Sequence, residues 1–131
     1  STGDSQLQEE LAAAYEKVGD VQGRPGGANL GDTAAALASY RKAEKIRESV
    51  FDQASAAQRD DLARTYLRIS SVLRAAGDFP AALEYDRKAL AIRLALLESE
   101  PDNVERRRSL AATYTSLSAS HSLMWRWDEV S

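Results

Sequence analysis

The chain contains one sixteen-residue pattern twice. GDTAAALASYRKAEKI at residues 31–46 and GDFPAALEYDRKALAI at residues 77–92 are identical at nine of sixteen positions. Both copies open with Gly-Asp, a pair that can end one helix and cap the next. Both continue with Ala, Leu, Arg and Lys, which favour helices. A pattern that recurs within a chain predicts a repeated supersecondary unit, here a helical one.

Apolar spacing and helix-breaking residues divide the sequence into five helical segments. We predict helices at about residues 5–21, 33–51, 56–76 and 79–98, and a fifth that begins near residue 103. The Gly-rich stretch GRPGGANLG at residues 23–31 predicts a loop between the first two. The first helix repeats apolar residues at helical spacing, which predicts that this face is buried: Leu7, Leu11, Ala14, Tyr15 and Val18.

The ends of the helices carry capping signals. Three pairs predict capping boxes: Ser5 with Gln8, Ser55 with Gln58, and Asp102 with Glu105. Asp32 and Asp78 predict N-caps for the second and fourth helices, and Pro80 fits a first helical turn. Gly77 predicts a left-handed end for the third helix. The final stretch MWRWDEVS predicts a third turn, with Trp127 at the position of Phe79.

The odd-numbered helices also share a pattern. LAAAYEKV at 11–18, LARTYLRI at 62–69 and LAATYTSL at 110–117 all read Leu-Ala-x-x-Tyr. The sequence therefore predicts an all-α fold built from repeated helical hairpins.

These residues resemble the tetratricopeptide repeat, in which an A helix and a B helix form each unit. Helices approach closely only where side chains are small, so the resemblance implies that the B helices pack through four alanines: Ala36, Ala43, Ala82 and Ala89. It also implies that the tyrosines of the A helices fill the gaps: Tyr15, Tyr66 and Tyr114. The resemblance implies an α-α superhelix of about two and a half hairpins in one domain, residues 1–131. Its repeats would span about residues 5–51, 55–98 and, in part, 102–131. The long B helices resemble those of kinesin light chains. The Gly-rich loop resembles C-terminal segments of bacterial serine/threonine kinases, which implies an excised bacterial fragment.

Composition excludes several classes of function. A net charge of −3 argues against nucleic acid, which favours a basic surface. The chain has no Cys and one His, His121, and it lacks a nucleophile motif, so we expect no catalytic site, metal or cofactor. No apolar run approaches the roughly 20 residues that span a bilayer, so we expect no membrane insertion. A cytoplasmic location is consistent with the absence of Cys.

The resemblance further implies that the A helices line a concave groove for a peptide or partner protein. The candidate groove residues are Glu16, Asp20, Arg64, Leu67, Arg68, Ser71, Arg74 and Thr115. The family's clamp for a C-terminal carboxylate uses Lys and Asn where this chain has Glu16 and Asp20, so that clamp is excluded. Arg64, Arg68 and Arg74 predict a basic stripe for an acidic peptide. Alternatively, these arginines pair with Asp60, Asp61 or neighbouring helices and are simply solvated.

The two tryptophans, Trp125 and Trp127, fall in the last seven residues. Because Trp is enriched at interfaces, they predict either a cap that packs on the final helix, or a homodimer or interdomain contact. The leading hypothesis is a non-catalytic protein–protein interaction module. The alternative is a structural oligomerisation segment that self-associates through its unpaired C-terminal helix, and a small enzyme or nucleotide binder ranks third.

Overall fold

The computed structural model describes residues 2–24 and 32–130, with side chains for residues 4–24 and 32–126. This part of the chain is helical and contains no strand, which confirms the all-α prediction. The helices are α1 (Thr2–Gln22), α2 (Thr33–Ser49), α3 (Ala56–Ala75), α4 (Phe79–Ser99) and α5 (Val104–Val130). A short 3₁₀ turn at Phe51–Gln53 follows α2. Most of the predicted Gly-rich loop lies outside the described residues.

Most predicted capping signals are confirmed. Asp32 and Asp78 each accept a hydrogen bond from the backbone N–H three residues later, at 3.0 and 3.2 Å. Ser55 and Gln58 form the reciprocal capping box at the start of α3. Gly77 has a φ of +85°, which glycine adopts without the steric cost that a Cβ imposes. Local sequence therefore determines where these helices begin and end.

Three predictions about helix ends are wrong. Helix α1 begins at Thr2, so Ser5 lies inside the helix and caps nothing. The N-cap of α5 is Asn103, whose Oδ1 accepts a hydrogen bond from the N–H of Arg106 at 3.2 Å. The predicted cap, Asp102, lies one residue before this position. The stretch MWRWDEV continues α5 to Val130 instead of forming a third turn. It lacks the glycine that ends α3, so nothing local stops the helix.

The chain folds into two compact units, residues 1–65 (unit 1) and residues 66–131 (unit 2). Unit 1 contains α1, α2 and the first half of α3. Its α1–α2 hairpin closes on small residues, because Ala12, Ala36 and Ala43 are fully buried. At Gly19 a Cβ would lie 2.6 Å from the ring of Tyr40, so only glycine admits this contact.

The predicted buried face of α1 is wrong. Leu7, Leu11 and Val18 are 65%, 49% and 48% exposed. The side that faces α2 instead carries Ala12 and Gly19, one helical turn on either side of a buried glutamate. Close approach between the two helices requires small residues, and this requirement outweighs burial of the larger apolar side chains.

Unit 2 contains the second half of α3 together with α4 and α5. Ala82 and Ala89 are fully buried in α4, as predicted, and Ile69 is fully buried in α3. Tyr66 is 6% exposed and packs against Tyr85 with ring centroids 5.7 Å apart. The matching filler in α5, Tyr114, is 45% exposed, so the prediction that it fills a gap is wrong.

Candidate functional site

Unit 1 has a buried ion network centred on one arginine. Arg47 on α2 is 4% exposed. Its Nη1 lies 2.6 Å from a carboxylate oxygen of Glu9, and its Nε lies 3.2 Å from Glu16 on the same helix, α1. Asp61 on α3 approaches the same guanidinium at 3.8 Å, and the hydroxyl of Thr65 donates to Glu16. Charges this far from water must be paired, so the network joins three helix segments.

Two predicted groove residues of unit 1 belong to its interior contacts. Glu16 is 4% exposed, and its carboxylate binds Arg47 and Thr65. Asp20 is half-buried and accepts a 2.5 Å hydrogen bond from the hydroxyl of Tyr40. Both acidic side chains therefore hold α1 against its neighbours in this structure.

Unit 2 has a different buried network. Asp86 on α4 is fully buried and accepts hydrogen bonds from Ser116 at 2.6 Å and Ser120 at 2.5 Å, both on α5. The Nη1 of Arg74 on α3 lies 2.9 Å and 3.0 Å from the same two hydroxyls and 3.8 Å from Asp86. It also donates to Ser70 at 3.0 Å. The network therefore ties α3, α4 and α5 together.

The three arginines of the predicted basic stripe have different surroundings. Arg64 is exposed over half of its side chain and forms a 2.7 Å pair with Asp61 on the preceding turn, as the alternative prediction had it. Arg74 is engaged in the network of unit 2. Arg68 is half-buried. All three lie on α3. A spacing of four residues keeps Arg64 and Arg68 on one side of the helix, but a spacing of six residues places Arg74 on a different side.

The remaining candidate residues lie at the surface. Ser71 and Thr115 are exposed and Leu67 is half-buried, so α3 and α5 both offer accessible side chains in unit 2. Trp125 is 58% exposed, and its indole N–H donates to Nε2 of His121 at 3.2 Å. The side chain of Trp127 lies outside the described residues.

A surface cleft of about 270 Å³ opens between α4 and α5. Its lining combines two leucines with polar and basic groups: Leu83, Arg87, Leu117, Ser118, His121 and Ser122. Within residues 4–24 and 32–126, no cluster of three His, Asp or Glu could hold a metal ion. Among the described helices, none is long and apolar enough to cross a membrane.

Reasoning from the sequence missed the two buried networks. One signal was available, because the 46-residue offset that aligns the two copies also aligns Arg47 with Arg93. Arg93 is 7% exposed and donates to Thr113 and to the carbonyl of Ser109, both on α5. An arginine repeated on the packed side of both B helices indicates a structural role. The partners in unit 1 come from distant parts of the chain, and no local pattern identifies them.

A family model described as tetratricopeptide repeat matches residues 27–95, which is just over half of the chain. No curated protein matches the sequence. No solved structure matches it either.

Proposed function

Because the chain belongs to the tetratricopeptide repeat family, whose domains generally mediate protein–protein interaction, we propose that it is a non-catalytic binding module. The partner lies in a groove lined by the accessible side chains of α3 and α5. In unit 2 these are Leu67, Ser71 and Thr115, with Arg68 beside them.

The observation that carries this proposal is the way Arg74 joins α3 to α5. One guanidinium nitrogen contacts the hydroxyls of Ser116 and Ser120, and buried Asp86 fixes both hydroxyls from α4. Hydrogen bonds to ionised groups are stronger than neutral ones, so the two helices are held in a defined position. A surface that is preorganised in this way binds a partner with less loss of conformational entropy.

The charge of the groove favours an acidic partner. The pair between Arg64 and Asp61 is exposed to solvent, and surface pairs of this kind contribute roughly 0–1 kcal/mol. A carboxylate of a partner can therefore replace Asp61 at little cost. Arg68 follows one helical turn later on α3, and arginine binds carboxylates through two parallel hydrogen bonds.

The test measures binding of a fluorescein-labelled peptide that contains a run of Glu, with the same peptide carrying Gln as the uncharged comparison. The double variant Arg64→Glu, Arg68→Glu should weaken binding of the Glu peptide at least about tenfold, through lost attraction and added repulsion. The control is Arg107→Glu, Arg108→Glu on α5, which reverses the same number of charges at two exposed, acid-paired arginines. Equal binding of both peptides, or equal loss in both variants, contradicts the proposal.

Self-association through the C-terminal part of α5 is the second candidate function. The exposure of Trp125 favours it, because large exposed aromatic residues are typical of interfaces. Sedimentation of the full chain over a range of concentrations tests it. A dimer that is lost in Trp125→Ser supports this function, and a monomer at all concentrations rules it out.

Two broader proposals rest on sequence alone. We propose that both units act together as a single domain of residues 1–131, with repeats at about 5–51, 55–98 and, in part, 102–131. The link to bacterial kinases rests on the resemblance of the Gly-rich loop and the helices that flank it. Sequencing the coding region upstream of Ser1 tests that link directly.

A further inference from the structure

The cleft between α4 and α5 in unit 2 combines buried apolar side chains with exposed hydrogen-bond donors. Leu83 on α4 is 4% exposed, and Leu117 on α5 is half-buried. The rim consists of four exposed side chains, all of which can donate a hydrogen bond: Arg87, Ser118, His121 and Ser122. The lining contains no carboxylate. We call this site the α4–α5 cleft.

Arg87 has no carboxylate partner among the described residues, although Glu84 lies three residues before it on the same helix. Helix α5 contains no acidic residue between Glu105 and Asp128. The acidic neighbour of Arg87 in the chain, Asp86, is fully buried and accepts hydrogen bonds from two serines of α5. The guanidinium of Arg87 is therefore available to an anion that enters the cleft.

The two hydroxyl groups of the rim are available as well. Ser118 and Ser122 lie one turn apart on α5, and neither hydroxyl makes a hydrogen bond within the part of the chain that the structure describes. A hydroxyl group in a helix often donates to a carbonyl of the preceding turn, as Thr115 does to Ala111. The two serines do not, so their O–H groups can donate to a ligand.

Trp125 fixes the tautomer of His121. The indole N–H donates to Nε2 of His121 at 3.2 Å, and an imidazole nitrogen that accepts a hydrogen bond carries no proton. The proton of the neutral ring is therefore on Nδ1. The nitrogen that Trp125 does not occupy is thus a donor, in keeping with the rest of the rim. A lining of donors around one cation favours an anionic ligand.

The packing of the repeat does not require these donors. When α5 is aligned with α3 by an offset of 48 residues, His121 occupies the position of Leu73 and Ser122 that of Arg74. Leu73 is 5% exposed, and Arg74 contacts two serines of α5. Helix α3 therefore has a buried apolar side chain where α5 has an imidazole. The polar rim is specific to the α4–α5 cleft.

We propose that the α4–α5 cleft binds a small organic monocarboxylate with an apolar body. The carboxylate accepts hydrogen bonds from Arg87, from the serines of the rim and from Nδ1 of His121. The apolar body lies on Leu83 and Leu117. Arginine binds carboxylates through two parallel hydrogen bonds, and apolar side chains remove the rest of the ligand from water. The site is separate from the groove of the proposed function and does not depend on it.

Volume and charge define the class of ligand. Sites for drug-sized molecules have volumes of about 300–1,000 Å³, so a cleft of about 270 Å³ takes a smaller molecule. Arg87 balances the single negative charge of a carboxylate, and no other Lys or Arg lines the cleft. A phosphate monoester carries a charge of about −1.5 to −2 at neutral pH, which one arginine leaves partly unbalanced. The cleft therefore suits a carboxylate better than a phosphate.

The probe is 3-phenylpropionate, and 3-phenylpropanamide is the uncharged comparison of similar shape. NMR titration of the full, isotopically labelled chain measures both affinities and locates the residues that respond. We expect one carboxylate per chain, bound at least about tenfold more tightly than the amide, because the guanidinium meets a charge. Arg87→Gln should weaken binding of the carboxylate at least about tenfold and change binding of the amide little.

The matched control is Arg41→Gln, because Arg41 is the exposed arginine at the equivalent position of α2. This variant should bind the carboxylate as the unmodified chain does. Ser118→Phe tests the location of the site, since the larger side chain fills the cleft and should abolish binding. Arg87 and Ser118 are both exposed, so neither change should disturb the fold, and an unchanged melting temperature checks this.

Five results would overturn the proposal. The first is a lack of saturable binding of 3-phenylpropionate up to about 10 mM. The second is equal affinity for the acid and the amide, and the third is an equal loss of affinity in Arg87→Gln and Arg41→Gln. The fourth is unchanged binding in Ser118→Phe, which would place the ligand elsewhere. The fifth is tighter binding of inorganic phosphate than of 3-phenylpropionate, which would show that the site prefers phosphate.

Discussion

The two units share one helical plan but bury different polar groups at equivalent positions. When α2 is aligned with α4 by an offset of 46 residues, Tyr40 and Asp86 occupy the same position of the repeat. In unit 1 the ring of Tyr40 covers Gly19 and its hydroxyl donates to Asp20. In unit 2 the carboxylate of Asp86 accepts from two serines of α5. The same place in the repeat therefore holds an aromatic ring in one unit and a fully buried charge in the other.

The comparison shows that the packing of the helices and the pairing of their buried polar groups are constrained separately. Small residues and one arginine recur in both B helices, because helix approach and the packed side of the helix are common to both units. The partners of each polar group differ, since any arrangement that satisfies all buried hydrogen-bonding groups is acceptable. The repeat determines the packing of the backbone, and each unit determines its own polar network.

The largest expected effect comes from breaking the network of unit 1. Arg47→Met leaves the buried carboxylate of Glu16 without its cation, and we expect a loss of about 3–5 kcal/mol in the free energy of unfolding. Adding Glu16→Leu should recover much of that loss, because an apolar pair replaces the stranded charge. Urea unfolding measures both. Arg41→Met, at an exposed position of α2, is the control and should change little.

The second prediction compares the equivalent residues Asp86 and Tyr40. Asp86→Ala removes the acceptor of two hydroxyl groups, and hydrogen bonds to a charged group contribute about 1.5–3 kcal/mol each, so we expect a loss of about 3 kcal/mol. Tyr40→Phe removes one part-buried hydroxyl and should cost about 0.5–1.5 kcal/mol. Hydrogen exchange should show lower protection of backbone amides in unit 2 for Asp86→Ala and in unit 1 for Tyr40→Phe. Equal losses in the free energy of unfolding would contradict the prediction that the buried carboxylate contributes more than the tyrosine hydroxyl.

Gly19 and Ser70 occupy the same position of the repeat and allow a third test. Gly19→Ala gains helix propensity worth about 1 kcal/mol but pushes a Cβ into the ring of Tyr40, so we expect a net loss of about 1–2 kcal/mol. In a Tyr40→Ala background the same change should become stabilising. Thermal unfolding of the unmodified chain, the two single variants and the double variant gives the coupling energy between Gly19 and Tyr40. Ser70→Ala, which removes one of several acceptors for Arg74, should cost less than Gly19→Ala.

The smallest expected difference concerns the two lysines. Lys88 lies near two rings, Tyr66 and Tyr85, at 5.6 and 5.0 Å, whereas Lys42 lies near Tyr15 at 5.3 Å. Cation–π contacts at exposed sites contribute about 0.5–1 kcal/mol, so both Lys→Met changes should be small and Lys88→Met the larger. Urea unfolding in parallel samples can resolve the order. A larger loss for Lys42→Met would mean that the second ring adds nothing.

Much of the fold could be predicted because its signals are local. Helix ends depend on a few neighbouring residues, and the caps at Asp32, Asp78 and Gly77 were predicted from them. The face of α1 could not be predicted, because hydrophobic spacing identified the leucines while packing selected Ala12 and Gly19. Periodicity shows that a helix has an apolar side but not which side a neighbour will cover.

Less of the candidate site could be predicted from the sequence. Surface positions such as Ser71 and Thr115 follow from the register of the helices, and both are exposed in the structure. The role of Glu16 as an internal ion partner did not follow, since Arg47 and Thr65 lie 31 and 49 residues away from it. Whether a charged side chain is buried depends on partners that only the folded chain assembles.

By itself, the sequence determined the helices, most of their caps, the two copies of one helical pattern and the family, because each of these depends on residues close together in the chain. Tertiary structure alone decided which side of α1 is buried, which charges enter the interior, and that α5 continues past the expected turn with Tyr114 uncovered. These outcomes depend on contacts between distant segments. Their energies are set by close packing and by the pairing of buried charges, which no local pattern contains.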